Sequence, residues 1–266
     1  MAASTSARPL RAAASLLAVL VLAAGTPSAA ADPNALWDIV DGQCVPNQLV
    51  ASQPAPCVAV ALEDGEARGY AVLKDLVGAT QFLLIPTARV AGIESPEILA
   101  ADAPNYFADA WRARSYVEHR AGRGLPRDWM SLAINSAAAR SQNQLHIHID
   151  CVRADVRRTL ATYAGDIGPS WSPFPVPLAG QPYRAMSVSG EDLDAVNPFR
   201  LLANGLTGGD SMGAQTLVAV GSVGVDGQQG FVLLAGRADT ANPDSGHGED
   251  LQDHNACPPP AEVIGK

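Results

Sequence analysis

Gln144-Leu145-His146-Ile147-His148-Ile149-Asp150 is a run in which polar and apolar residues alternate without interruption. On a β-strand, this alternation sends the two histidines with Gln144 and Asp150 to one face and the three aliphatic residues to the other. The chain has five histidines, and two of them fall on the polar face at positions i and i+2. We therefore predict a strand over residues 144–152 with an apolar face in the core and a chemically active face opposite.

Short apolar runs on both sides of this segment predict further strands, at residues 70–74, 81–85, 131–135, 216–220 and 231–235. Helical spacing of apolar residues predicts helices at 35–41, 105–121 and 154–163. Prolines predict loops between Cys44 and Cys57 and over 171–182. Together these elements predict an α+β fold with an antiparallel sheet and helices on one face.

Composition excludes several classes of protein. The 266 residues are 47% hydrophobic and 17% charged, which suits a packed domain rather than a disordered chain. A net charge of -9 and only 5% aromatic residues argue against a nucleic acid partner. Against this acidic background, nine arginines and four acids lie between Arg112 and Arg158, a basic island that predicts a site for a small anion.

The N-terminus has the pattern of an export signal. Arg8 and Arg11 precede an uncharged run over residues 12–24, and small residues lead up to Asp32. We predict a signal peptide over residues 1–31, with an uncleaved membrane anchor as the alternative, followed by one domain over residues 32–266. The protein is then exported, to the periplasm or to the outer face of the inner membrane.

All four cysteines follow this segment, and an even number in an oxidising compartment predicts disulfides. Of the three connectivities, we favour Cys44 with Cys57 and Cys151 with Cys257. A zinc site built from the four cysteines is disfavoured because no pair has the short spacing that such sites show.

Two chemical uses fit the histidine strand. As metal ligands, His146 and His148 would bind zinc with Asp150 or a more distant histidine as the third ligand. As a nucleophile, a neutral imidazole attacks a phosphoryl group and forms a phosphoramidate. We favour the nucleophile, because Asn135, Arg140 and Gln142 are donors of the kind that stabilise a pentacoordinate phosphorus.

These residues also carry a family resemblance. Asn135, Gln142 and His146-Ile147-His148 resemble the motif of the histidine triad (HIT) superfamily, in which a Gln precedes alternating histidines on a strand. More closely, the chain resembles the CDP-diacylglycerol pyrophosphatase family in several blocks that occur in one order: residues 35–37, 44–48, 54–57, 83–87, 93–96, 131–136, 142–148, 231–235 and 252–254.

The resemblance implies a HIT-like fold and a hydrolase that cleaves the pyrophosphate bond of CDP-diacylglycerol to CMP and phosphatidate, within phospholipid metabolism. It implies a cytidylyl-histidine intermediate and no cofactor or metal. Counted from Gln142, His148 becomes the nucleophile and His146 its positioning neighbour, with Asp150 at the third histidine position. The alternative register sets Gln144, His146 and His148 on the three positions and makes His146 the nucleophile.

The remaining site predictions concern the substrate and its competitors. We assign Gln142, Asn135, Gln144 and Arg140 to substrate binding, with a membrane surface as the source of the lipid. Trp171, Phe174 and Val176 of the Pro-rich loop are candidates for contact with that membrane. The resemblance also implies a homodimer, or a pseudo-dimer formed by the second half of the chain. The competing functions are an exported metal-binding protein that uses His146, His148 and Asp150, and a pyrophosphatase or nucleotidyl transferase that acts on soluble nucleotides.

Overall fold

The computed structural model describes residues 1–3, 32–255 and 257. All but the first three residues of the predicted signal peptide therefore lie outside the described residues. The account below concerns the compact unit that begins at Asp32. Among the described residues, no helix is both long enough and apolar enough to span a bilayer.

The unit is built on one nine-stranded sheet in which every neighbouring pair is antiparallel. The strand order is β1-β2-β3-β5-β4-β8-β9-β7-β6, so strands from the second half of the chain extend the sheet that the first half begins. The strands are β1 (Ala59–Ala61), β2 (Tyr70–Lys74), β3 (Phe82–Pro86), β4 (Met130–Ile134), β5 (Ile147–Cys151), β6 (Ser172–Pro173), β7 (Tyr183–Ser189), β8 (Gln215–Val223) and β9 (Gln229–Arg237).

The described part of the chain contributes five α-helices that pack on this sheet: α1 (Ala35–Ile39), α2 (Val45–Ala51), α3 (Tyr106–Ala121), α4 (Ala154–Thr162) and α5 (Pro198–Asn204). A turn of π-helix, Val40–Cys44, joins α1 to α2. The long helix α3 begins where Asn105 accepts a hydrogen bond from the amide of Ala108, and it ends at Gly122, whose φ of 73° is left-handed. These local signals explain why the predicted helix over 105–121 is confirmed almost to the residue.

The predicted α+β class with an antiparallel sheet is confirmed, but the prediction that helices cover one face is wrong. Leu84 of β3 packs in the cluster that contains α3 and α5, whereas Leu83 packs with α1 and α2 on the opposite face. Further along the sheet, Ala133 of β4 packs with α4 on that second face. The physical reason is that the central strands are apolar on both faces, so both faces need a cover.

The predicted loop between Cys44 and Cys57 is also partly wrong, because it contains α2. Pro46 lies in the first turn of that helix, where its missing N–H leaves no hydrogen bond unmade. The Pro-rich segment over 171–182 carries only the short strand β6 and is otherwise irregular, as predicted.

The unit contains two disulfides, and both have the predicted pairing. Cys44 pairs with Cys57 at the end of the α1–α2 segment, and Cys151 of β5 pairs with Cys257 of the C-terminal tail. The tail is further attached to β5 through a bridge between Val152 and Gln252. The consequence is that the C-terminal tail lies across the ends of the central strands, beside the histidines.

Candidate active site

A cavity of about 710 Å³ lies on the face of the sheet that carries the histidines. Its wall is mostly apolar and comes from α1, from Pro56 and from the β2–β3 hairpin. Its floor is polar and contains the histidine side chains of β5 and the residue just before it. The lining residues are Ala35, Leu36, Ile39, Pro56, Leu73, Lys74, Asp75, Leu76, Val77, Leu83, Asn135, Ala139, Ser141, Gln142, His146, His148, His247 and Glu249.

The predicted alternation of strand 144–152 explains how the histidines reach this cavity. Leu145, Ile147 and Ile149 are all buried in the cluster under α3, and the intervening side chains point to the other face. Regular strand structure begins only at Ile147. Upstream of it, the amide of Leu145 donates to the carbonyl of Val90 rather than into the sheet.

His146 is held in one tautomer by the backbone. Its Nδ1 donates to the carbonyl oxygen of Gln144 over 2.7 Å, because a carbonyl can only accept. The lone pair of the neutral ring is therefore on Nε2, which makes no hydrogen bond with any of the described residues. Burial and the neighbouring His148 lower the pKa of His146 to about 4. At neutral pH this side chain is an uncharged imidazole with a free nitrogen in the cavity lining.

His148 lies beside it, with the two ring centroids 5.0 Å apart. The amide nitrogen of Gln81 donates both to Asp75 Oδ2, at 2.7 Å, and to Nδ1 of His148, at 2.6 Å. Because Nδ1 accepts in this arrangement, the proton of the neutral ring is on Nε2. That nitrogen is buried and has no hydrogen-bond partner among the described residues, so it is a donor without an acceptor.

Two carboxylates flank the same ring. Glu249 Oε2 is 3.4 Å and Asp75 Oδ2 is 3.8 Å from Nδ1 of His148. Burial lowers the pKa of His148, and both carboxylates oppose that shift because they favour an imidazolium. Contact with the histidine in turn lowers the pKa of Glu249 against the effect of burial. Both carboxylates therefore favour positive charge on His148.

Glu249 comes from the C-terminal tail, and glycines let the tail approach so closely. A Cβ on Gly248 would lie 2.3 Å from Thr216 Oγ1, and one on Gly246, whose φ is +85°, would lie 2.4 Å from Ser136 Oγ. Further on, the amide of Gln252 donates to the carbonyl oxygen of His148 over 3.2 Å. The tail thus fixes both a carboxylate beside the ring and the backbone beneath it.

Two predicted substrate ligands line the cavity but are already engaged. Asn135 donates to Glu249 Oε1 over 2.7 Å and accepts from the amide of Glu249. Gln142 accepts from the amide of Leu36 and donates to the carbonyl oxygen of Asp32, so its side chain holds the start of α1. In this arrangement, Asn135 and Gln142 position other parts of the cavity.

Two further predicted ligands do not reach the cavity lining. Gln144 is buried and donates to the carbonyl oxygens of Pro86 and Ala88. Arg140 forms an ion pair with Glu94 at 2.6 Å. Both side chains therefore have structural roles in the loops around the site.

Asp150, predicted on the same face of the strand as the two histidines, is also hydrogen-bonded elsewhere. Its Oδ1 accepts from Thr80 Oγ1 at 2.8 Å, and burial raises its pKa to about 7. Within the described residues, the group with metal-ligand spacing is Asp150, Cys151 and Cys257, and its two cysteines are joined in a disulfide. The histidines do not belong to that group, so the geometry gives no support to the metal-binding alternative.

Sequence reasoning missed Asp75, Gln81, Glu249 and Lys74. Lys74 Nζ donates to the carbonyl oxygens of Asp75 and Gly78, both at 2.7 Å, and an ammonium has a third N–H left for a ligand. The four residues come from the β2–β3 hairpin and the tail, and no local motif marks them. Lys74, Asp75 and Glu249 are identified only because they line the cavity, and Gln81 only because it contacts His148.

Comparison with known proteins relates the chain to a described family. Residues 31–258 match the family model described as CDP-diacylglycerol pyrophosphatase. A protein of that name from Yersinia pestis is 39% identical over 242 residues, which cover 90% of this chain and 91% of the relative.

Proposed function

This chain belongs to the family of CDP-diacylglycerol pyrophosphatases, hydrolases of a phosphoric anhydride, and from this premise we propose a mechanism in which His146 is the nucleophile. The reaction cleaves CDP-diacylglycerol to CMP and phosphatidate through a cytidylyl-histidine. The observation that carries the proposal is the bond from His146 Nδ1 to the carbonyl oxygen of Gln144. It leaves the free lone pair on Nε2 in the cavity lining.

This choice uses the second of the two registers, with Gln144, His146 and His148 on the three motif positions. The hydrogen bonds favour it over the first register, in which His148 attacks. Nδ1 of His148 accepts from Gln81, so its Nε2 carries the proton and has no lone pair with which to attack phosphorus. A neutral His146 with a pKa of about 4 needs no deprotonation before it reacts.

His148 and Lys74 then bind the diphosphate. The unpartnered Nε2–H of His148 is a donor for a phosphoryl oxygen, and Glu249 favours the imidazolium form of the ring, which is the stronger donor. The third N–H of Lys74 is a second donor on the cavity wall. Donors aimed at the charge that develops in the transition state are the usual source of such catalysis.

The chemistry balances in two steps. In the first, a bond forms between Nε2 of His146 and the CMP-side phosphorus, and the bond from that phosphorus to the phosphatidate oxygen breaks. The carbonyl of Gln144 stabilises the cationic ring that results. In the second, a water oxygen attacks the same phosphorus, the N–P bond breaks, and CMP leaves as the water proton passes to solvent. His146 returns to its neutral form.

The test is intact-mass spectrometry after mixing with CDP-diacylglycerol and rapid acid quench. We expect an adduct of CMP mass on the native protein and none on His146→Ala. His148→Ala should still form the adduct, about 10²- to 10³-fold more slowly, because it has lost one transition-state donor. An adduct on His146→Ala that disappears in His148→Ala would move the nucleophile to His148. Circular dichroism of both variants controls for folding.

Fold family, location and assembly remain proposals. We propose that the sheet is HIT-like and that its strands β7–β9 make the chain a pseudo-dimer, in place of a homodimer. The continuous strand order across both halves supports this. We also propose export with the first 31 residues as signal or anchor, which the two disulfides support because such bonds persist in oxidising compartments.

A further inference from the structure

The β2–β3 hairpin ends in an apolar tip at the mouth of the cavity. Leu76 is fully exposed and Val77 is 58% exposed, yet both also line the cavity that contains the histidines. Exposed aliphatic side chains at the mouth of a site are removed from water when a ligand or a surface covers them. Neither side chain packs in the core, so together they indicate an apolar partner.

The wall that continues inward from this tip is apolar as well. Leu36 and Ile39 of α1 and Pro56 line the same cavity. We call these three residues, together with Leu76 and Val77, the apolar rim. The apolar rim and the two histidines therefore line one cavity.

The size of the cavity limits what it encloses. A volume of about 710 Å³ is within the range of sites that hold one drug-sized molecule. A cytidine diphosphate and the start of a glycerol group fill such a space, and two long acyl chains do not fit in addition. The chains of a diacyl lipid must then leave the cavity across its rim.

Charge around the rim suits a membrane. Between Asp41 and Glu63 the sequence contains no charged residue, and this segment includes Pro56 and the exposed Leu49 and Val50. In a protein of net charge -9, such a neutral surface avoids repulsion from anionic lipids. The loop residues suggested by the sequence are less suitable, because Phe174 is buried in the core and the Trp171 indole donates to the carbonyl oxygen of Leu201.

We propose, resting on the function proposed above, that the apolar rim contacts the acyl chains of CDP-diacylglycerol while their far ends remain in the bilayer. The hairpin tip with Leu76 and Val77 makes this contact outside the cavity, and α1 continues it inside. The lipid is thus hydrolysed from the membrane surface rather than after full extraction.

The test compares two substrates with three proteins. Long-chain CDP-diacylglycerol is presented in phosphatidylcholine vesicles, and CDP-glycerol serves as a soluble diphosphate without acyl chains. The rim variant is Leu76→Ser/Val77→Ser, and the matched control is Val223→Ser/Val225→Ser at the β8–β9 hairpin, whose valines are also exposed and do not line the cavity.

We expect the rim variant to lose about tenfold or more in kcat/KM on the vesicle substrate, since it no longer buries two aliphatic side chains. Its rate on CDP-glycerol should equal that of the native protein, and the control should match the native protein on both. Equal rates for all three proteins on vesicles would overturn the proposal, as would equal losses on both substrates. If the native protein hydrolyses neither substrate, the proposed function itself fails, which is a separate result.

Discussion

Glu249 Oε2 lies 3.4 Å from Nδ1 of His148, although one residue belongs to the C-terminal tail and the other to a central strand. The contact brings a carboxylate to a histidine that has no acceptor for its other nitrogen among the described residues. Asn135 fixes the same carboxylate through its second oxygen. Asn135, Glu249 and His148 therefore form a network that connects the tail to the charge state of the ring.

Substitution Glu249→Gln tests that network, because it removes the charge and keeps the size. We expect kcat to fall about tenfold, since one pKa unit of lost support for the imidazolium is worth about 1.4 kcal/mol. The CMP adduct on His146 should still form. The exposed Asp244→Asn is the control for a change of one charge in the tail. An unchanged kcat in Glu249→Gln would remove Glu249 from the mechanism.

The pH dependence follows from His146. In the proposed mechanism only its neutral form attacks, and burial lowers its pKa to about 4. We expect kcat/KM to show no fall assignable to His146 until the pH approaches about 4, where protonation removes the nucleophile. His148→Gln removes a ring whose protonation at acid pH lowers the pKa of His146, so it should move this acid limb to higher pH. A limb near pH 6.5 in the native protein would mean that the buried geometry of His146 is incorrect.

The two disulfides should differ in both stability and activity. Their sequence separations are 13 and 106 residues. In the chain-entropy model, removal of the short loop costs about 3 kcal/mol and removal of the long one about 5 kcal/mol of unfolding free energy. We therefore expect Cys151→Ala/Cys257→Ala to be the less stable pair in urea unfolding. Only that pair should also lower kcat strongly, because it releases the tail that carries Glu249, and similar kcat losses in both pairs would contradict this view.

Asp150 should make the protein less stable as the pH rises. Burial raises its pKa from an ordinary 3.8 to about 7, so the native state holds a proton that the unfolded state has lost. The contribution of Asp150 to the unfolding free energy then decreases between about pH 4 and pH 7, by at most about 1.4 kcal/mol per pH unit, whereas buried His146 contributes a slope of the opposite sign. Asp150→Asn should remove that slope in urea titrations at pH 5, 6 and 7. Asp155→Asn should not, since its pKa is lowered by Arg153 and it is ionised throughout this range.

Much of the local structure was predictable because its signals are local. The alternation over 144–150 correctly assigned Leu145, Ile147 and Ile149 to the core. The side chain of Asn105 caps the start of α3, and the left-handed backbone of Gly122 ends it, as these residue types predict. Each of these features depends on neighbours within a few residues.

The rest depends on contacts between distant segments. The strands do not predict which face of the sheet each helix covers, because Leu83 and Leu84 are equally apolar and point to opposite faces. The same holds for the site: Gln144 shares a face with the histidines, yet its amide serves the backbone of Pro86 and Ala88. Gln81 and Glu249 meet His148 only because the hairpin and the tail fold over it.

The attachment of the tail also determines when the surroundings of the histidines are complete during synthesis. Ribosomes make Glu249, Gln252 and Cys257 after every strand of the sheet. A nascent chain that already possesses both histidines still lacks the carboxylate and the covalent bond that secure their surroundings. The surroundings of the histidines are thus complete only after the whole polypeptide has been made and oxidised.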